Sequence, residues 1–231
     1  MGTGITDRIS PIKLELYDNS WYHPGRPKIV QTAWYLLGLP VVRSSLPFSG
    51  IKCLALRMFG AKVGRGVVIK PGVQVKYPWR ISIGDHVWIG EGSWIDNLAD
   101  IEIEDNVCLS QGVYLCTGNH DWSDQAFSLR IAPIHLSHGC WVGAKSLILP
   151  GVSIGVGGVV AAGSVVLKNV PPWEIHRGNP AVFWKCRRIK PAAEPRASEA
   201  SDCNERLTDS CLSNALDSTG SPSLEDSCRP L

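Results

Sequence analysis

Six histidines offer this chain its means of moving a proton near neutral pH, since an unperturbed imidazole titrates at about 6.5. One of them, His120, stands in the run Thr117-Gly118-Asn119-His120-Asp121-Trp122, which keeps no periodicity of its own and reads as a loop. Loops on a rigid scaffold are where catalytic side chains concentrate. The residues alone leave His120 as either a general base or a structural loop histidine. They leave Asp121 as either its partner or the residue that ends a turn. The other five are less suggestive: His23 precedes the patterned region, His86 falls at a turn, His135 on a strand, His138 at a corner and His176 near the C-terminal flank. His135-x-x-His138-x-Cys140 has the outline of a metal-ligand set. Strand alternation, however, points Cys140 inward and His135 outward, so no metal is expected.

The loop interrupts a rhythm. From Leu136 to Pro171 an aliphatic residue returns every sixth position, at Leu136, Val142, Ile148, Ile154, Val160 and Val166, and something small or β-branched follows four residues after each. A period of six fits neither a helix at 3.6 nor a long strand at 2. It fits short strands joined by tight turns, three to a triangular coil, each strand bonded to its equivalents roughly 4.8 Å above and below. The chain is therefore read as all-β, a parallel β-helix. The period extends upstream through Val63, Ile69 and Val75, then Ile83, Ile89 and Ile95, then Ile103, Leu109 and Leu115, with short insertions between coils. About five coils result, on the order of 25 Å tall, with the stretch 117–135 thrown out as a protruding loop.

The flanks read differently. Residues 1–60 form an N-terminal cap with short helices, the coils occupy 61–171, a C-terminal flank runs over 172–190, and 191–231 is too polar to offset its ordering entropy and is expected to be a disordered tail. The apolar run from Lys28 to Val42 is too short to span a bilayer, which takes about 20 residues. It either covers the open end of the first coil or lies at a membrane surface. A net charge of +2 argues against a nucleic-acid partner. The first 28 residues carry no apolar signal segment, so the eight cysteines are expected to be reduced thiols of a cytoplasmic protein, free in solution or at the inner face of the membrane.

Following the outward residues coil by coil separates three walls. Lys62, Ser82, Glu102, His135 and Ser153 make a polar one; Val68, Trp88, Cys108, Trp141 and Val159 a second; Gln74, Trp94, Tyr114, Leu147 and Val165 a third. Two apolar walls of different composition meeting head to tail close a ring, and a triangular prism closes most simply as a homotrimer. Helices laid over one wall would instead leave at most a dimer.

The hexads, the loop Thr117-Gly118-Asn119-His120-Asp121, the stretch Trp141-Val142-Gly143-Ala144 and the ending Arg177-Gly178-Asn179-Pro180-Ala181 resemble the hexapeptide-repeat acyltransferases. Within them, Tyr17-Asp18-Asn19-Ser20-Trp21, Lys76-Tyr77-Pro78-Trp79-Arg80 and Trp94-Ile95-Asp96-Asn97-Leu98 are similar to the colanic acid biosynthesis acetyltransferase group. The resemblance implies a left-handed β-helix, a trimer, and acetyl transfer from acetyl-CoA to a sugar hydroxyl between subunits, with His120 as general base. The acceptor it implies is a sugar, nucleotide sugar or lipid-linked glycan in exopolysaccharide assembly. Asn119, Asp121 and Asp96 would bind or orient that acceptor, although Asp96 stands where related enzymes carry Asn. Trp141 and the amides of Ala144 and Ala162 would meet the pantetheine arm, and Lys168 and Lys185 the CoA phosphates. N-acetylation of an amino sugar and a non-catalytic trimeric scaffold are the competing readings. A carbonic anhydrase on the same repeats would need three histidines meeting across subunits, and His86 and His120 lack an evident third.

Overall fold

The computed structural model describes residues 12–190. The chain divides into Met1–Arg188 and Ile189–Leu231, and of the second unit only Ile189 and Lys190 are described. The segment expected to be disordered, 191–231, lies outside the described residues.

Parallel strands of two or three residues stack into three walls. The first runs Lys62–Val63, Ile81–Ile83, Ile101–Ile103, Ile134–Leu136 and Ser153–Ile154. The second runs Val68–Ile69, Trp88–Ile89, Cys108–Leu109, Trp141–Val142 and Val159–Val160, and the third Gln74–Val75, Trp94–Asp96, Tyr114–Cys116, Leu147–Ile148 and Val165–Val166. The register matches the outward series read from the sequence, for example Trp88↔Cys108↔Trp141↔Val159. The structure goes beyond the expected five coils: a sixth rung, Glu174–Arg177, pairs with Val159–Val160, because the C-terminal flank folds back on it as the antiparallel strand Val182–Cys186.

Inside, Ile69, Ile89, Leu109, Val142 and Val160 form one of three buried aliphatic columns. At two of the three corners of each coil one residue takes positive φ, which an L side chain adopts at a cost. At the corner between the first and second walls that place is taken in successive coils by Gly66, His86, Asn106, Gly139 and Gly157. The glycine punctuation of the sequence follows from this. Buried polar residues are paired, as Asn97 shows by accepting from Tyr77 N at 2.9 Å and donating to Tyr77 O at 2.7 Å.

The first coil has no neighbour beneath it, and helical side chains take its exposed backbone groups. Lys28–Ala33, the wide π-helical turn Trp34–Gly38 and Leu39–Arg43 run on as one helix, followed by the helix Ser49–Met58. Pro40 has no N–H to return to the carbonyl four residues back, and the Leu39 N–H reaches five back to Trp34 O, which widens that turn. Trp34 Nε1 donates to Val75 O at 3.1 Å. Lys52, 1% exposed, donates to Lys70 O at 3.2 Å and Ser44 O at 3.0 Å. Arg57 donates to Val63 O at 3.0 Å and Gly64 O at 2.7 Å, and Ser49 Oγ accepts from Ile69 N at 3.0 Å. Gly38 admits the Trp34 ring, since a Cβ there would lie 2.2 Å from it. The run from Lys28 to Val42 therefore caps the coil, and among the described residues no helix is long and apolar enough to cross a membrane.

Trp34→Ala is expected to lower the unfolding free energy by about 3–5 kcal/mol, whereas Leu36→Ala on the solvent side of the same helix should change it by less than about 0.5 kcal/mol. Urea denaturation followed by tryptophan-independent circular dichroism checks both.

Candidate active site

The excursion after Tyr114–Cys116 is a β-hairpin, Gly118–His120 against Leu129–Ile131, leaving the prism at the corner between the third and first walls. The coil resumes at Ile134. Asp121 and Asp124 hold the hairpin tip. Asp121 accepts from Ser123 N and Oγ at 3.0 and 2.6 Å and pairs with Arg130, and these hydrogen bonds, Ser123's first, hold its carboxyl below the usual range. Its partners lie within the hairpin. Asn119 Oδ1 accepts from His120 N at 2.8 Å.

His120 is fixed by three groups. Its Nδ1 lies 2.9 Å from the Phe127 carbonyl. A carbonyl only accepts, so Nδ1 carries the proton and the Nε2 lone pair is left free. The Phe127 ring stacks on the imidazole at 4.3 Å and 5°, and the Tyr17 ring lies 5.5 Å away at 58°. Tyr17 belongs to the segment between residue 12 and the first long helix, which runs past the hairpin toward the cap: Lys13 N donates to Gln125 O at 2.9 Å, Tyr22 OH to Leu98 O at 2.9 Å, and Trp79 Nε1 to Pro24 O at 2.6 Å. Beside the hairpin a groove of about 680 Å³ is lined by Trp21, Asn119, Arg130, Leu149, Pro150 and Leu167, among others.

Asp96 lies one coil toward the cap at the same corner, with Thr117 N and Oγ1 both donating to its carbonyl at 3.2 and 3.0 Å. Its nearly buried carboxylate meets Lys76 Nζ at 2.9 Å and accepts from Tyr114 OH at 3.1 Å. Oδ1 makes the ion pair with Lys76 but no well-directed hydrogen bond. Burial, the first cause, then the neighbouring Cys116 and Asp96, push the Tyr114 phenol up. The Trp94 ring stacks on Tyr114 at 4.6 Å and 6°.

The residues proposed for a donor lie elsewhere. Ala144 and Ala162 stack at the corner between the second and third walls, where Gly163 N donates to Ala144 O at 2.8 Å. Among the described residues neither the Ala144 nor the Ala162 N–H donates to an atom of the protein, which leaves both amides available to a ligand or to water. Gly143 lets these coils close, since a Cβ there would sit 2.5 Å from Ala162 N. The half-exposed Trp141 ring sends Nε1 to Ser110 Oγ at 2.9 Å on the same edge. Lys168 sits at the hairpin's corner instead, and Lys185 lies on Val182–Cys186 with its Nζ 4.0 Å over the Trp184 ring. One chain thus keeps its imidazole and its two free amides on different edges, with the third wall between them.

The family model for the hexapeptide repeat of succinyl-transferase matches residues 80–116 and 138–168. A putative colanic acid biosynthesis acetyltransferase, WcaF, from Escherichia coli is 43% identical over 131 residues, covering 57% of this chain and 72% of the relative. The chain is a hexapeptide-repeat acetyltransferase. A putative acetyltransferase from Schizosaccharomyces pombe is 34% identical over 116 residues, 49% of this chain and 56% of its own. The crystal structure of a Vibrio cholerae hexapeptide-repeat acetyltransferase in complex with acetyl coenzyme A superposes with a TM-score of 0.64 at 26% identity, covering 70% of this chain and 89% of the other.

In this acetyltransferase the histidine–cysteine triplet is no ligand set. His135 lies between Glu102 at 3.1 Å and Glu104 at 2.9 Å, and Cys140 is in the core. Among the described residues no cluster of three or more His, Cys, Asp or Glu is arranged to hold a metal. Sequence reasoning missed the Phe127 carbonyl, the Tyr17 ring and the Lys76–Asp96 pair; Tyr17 and Lys76 stood only within motifs quoted for the resemblance. Burial pushes the Cys140 thiol up to about 12, which removes its thiolate at neutral pH. Native protein treated with iodoacetamide near pH 8 should be alkylated at the exposed Cys186 and spared at Cys140 until it is denatured, as peptide mass spectrometry would read.

Proposed function

We propose that the chain is an acetyl-CoA-dependent O-acetyltransferase acting on a sugar hydroxyl in exopolysaccharide or related glycan assembly, and that it works as a homotrimer. The observation that carries this reading is the His120 imidazole, whose proton is held on Nδ1 by the Phe127 carbonyl so that Nε2 is a ready acceptor. A hydroxyl attacks a thioester slowly unless its proton leaves during attack. Acetyl-CoA supplies the activated acetyl group. His120 Nε2 takes the hydroxyl proton as the C–O bond forms, and passes it to the sulfur as the C–S bond breaks, so that free thiol and acetylated sugar leave and the imidazole ends as it began. The name of the Escherichia coli relative, with its reference to colanic acid biosynthesis, supports a polysaccharide precursor as acceptor.

The trimer is argued from two independent features. Trp88, Trp94 and Trp141 stand 55%, 43% and 46% exposed on two adjoining walls, a larger aromatic surface than a soluble monomer ordinarily shows. The base and the free amides of Ala144 and Ala162 occupy different edges of one chain, and a second copy packed wall to wall brings one chain's hairpin against another's amide edge. Asn119, next to the base in sequence, lines the groove with Trp21 and Leu167 and is placed to meet an acceptor there.

His120→Ala is expected to lower thiol release from acetyl-CoA by about 10² or more while leaving the solution mass at three chains. Turnover unchanged by the substitution refutes the base assignment, and a monomeric wild type refutes the assembly. A screen of nucleotide sugars and lipid-linked oligosaccharides, read by mass spectrometry, identifies the acceptor.

A further inference from the structure

The helical cap carries a second apolar face that none of the described residues covers. On the helix from Lys28 to Arg43, Trp34, Gly38 and Val42 recur on the side that meets the coil and are buried. Ile29, Leu36 and Leu37 lie off that side and stand 78%, 69% and 67% exposed. The helix Ser49–Met58 repeats the arrangement: Lys52, Cys53 and Leu56 face the coil, while Ile51, Leu54 and Met58, spaced i, i+3 and i+7, are exposed. Both helices contact each other and the first-coil strands Lys62–Val63, Val68–Ile69 and Gln74–Val75, so the unused face belongs to the end of the prism rather than to the walls on which copies would meet.

Charge says what this face suits. From Asn19 to Gly84 the chain holds ten Lys and Arg residues and no Asp or Glu, although its overall charge is only +2. Arg65, Lys76 and Arg80 are paired with Asp85, Asp96 and Asp100 from the coils above. Lys28, Arg43 and Lys70 are exposed, and among the described residues they form no ion pair. A second copy docking end to end would bring the same positive charge against itself. An anionic phospholipid surface offers acyl chains to the leucines and phosphates to the cations at one plane.

We propose that the helical cap docks on anionic bilayers, with Ile29, Leu36, Leu37, Ile51, Leu54 and Met58 in the headgroup–acyl boundary and Lys28, Arg43 and Lys70 on the phosphates. The prism then stands end-on to the lipid. The 12–27 segment runs along its side from the cap to the hairpin, and His120 lies about two coil heights, ~10 Å, beyond the first coil. The docking itself does not depend on which reaction the site performs.

The full chain is sedimented with vesicles of phosphatidylethanolamine containing phosphatidylglycerol, and separately with phosphatidylcholine vesicles. Binding to the anionic vesicles should exceed binding to the neutral ones by about tenfold or more and weaken as ionic strength rises from ~0.1 M to ~0.5 M. Leu36→Glu with Leu37→Glu, and separately Lys28→Glu with Lys70→Glu, should each reduce it by at least about tenfold with solution mass and circular dichroism unchanged. The charge-reversal pair lies on the surface and tests the proposal even if the leucine variant folds poorly. Wild type that ignores both vesicles, or binds them alike with neither variant weakened, overturns the proposal. A change in solution mass on Leu36→Glu with Leu37→Glu, showing that copies meet on this face, overturns it as well.

Discussion

A coil of this prism cannot satisfy its own backbone. Successive residues of each short strand turn their backbone groups to opposite neighbours, as when Val68 N donates to Val87 O of the coil above at 2.9 Å while Ile69 N donates to Ser49 Oγ of the cap below at 3.0 Å. Stability is therefore a property of the stack, and its ends are where the requirement is hardest to meet. At one end two helices answer it with side chains, Trp34, Lys52 and Arg57 donating to carbonyls of the first coil. At the other, Val182–Cys186 turns back antiparallel on the last rung. Burying a lysine to do this work is costly, and desolvation pulls the Lys52 ammonium below its usual range.

The same stacking gives the chemistry its rigidity. A hairpin inserted at one corner inherits a fixed base, because Asp96 and Thr117 lock the coil below it and the coil resumes at Ile134 in register with Ile101. His120 is then held by local groups, Phe127 and Tyr17, rather than by an acidic partner, and Asp121 is occupied with Ser123 and Arg130. The imidazole and the Ala144 and Ala162 amides lie on different corners of one triangle, with the third wall between them.

Much of this was readable in the chain. The six-residue period fixed the walls and their register down to individual pairs such as Glu102↔His135, because a strand's two-fold alternation leaves no freedom once the inward residues are chosen. The break in that period located the hairpin. The extra rung escaped, because Glu174–Arg177 follows Trp173 and two prolines and keeps no hexad, so its pairing with Val159–Val160 leaves no mark in composition. The 12–27 segment escaped for a similar reason, its polar, proline-punctuated sequence being silent about a path past His120.

By itself the sequence determined the β-helix, its apolar and polar walls, the position of the loop and the histidine it carries, since each rests on local periodicity. Tertiary structure alone decided which nitrogen of His120 holds the proton, that Lys76 and Tyr114 claim Asp96, and that Leu36 and Leu37 stay in solvent while Trp34 is buried. Those outcomes depend on carbonyls, rings and cations up to about a hundred residues apart in the chain, brought within hydrogen-bonding or packing distance only by the stacking of coils and the docking of helices beneath them.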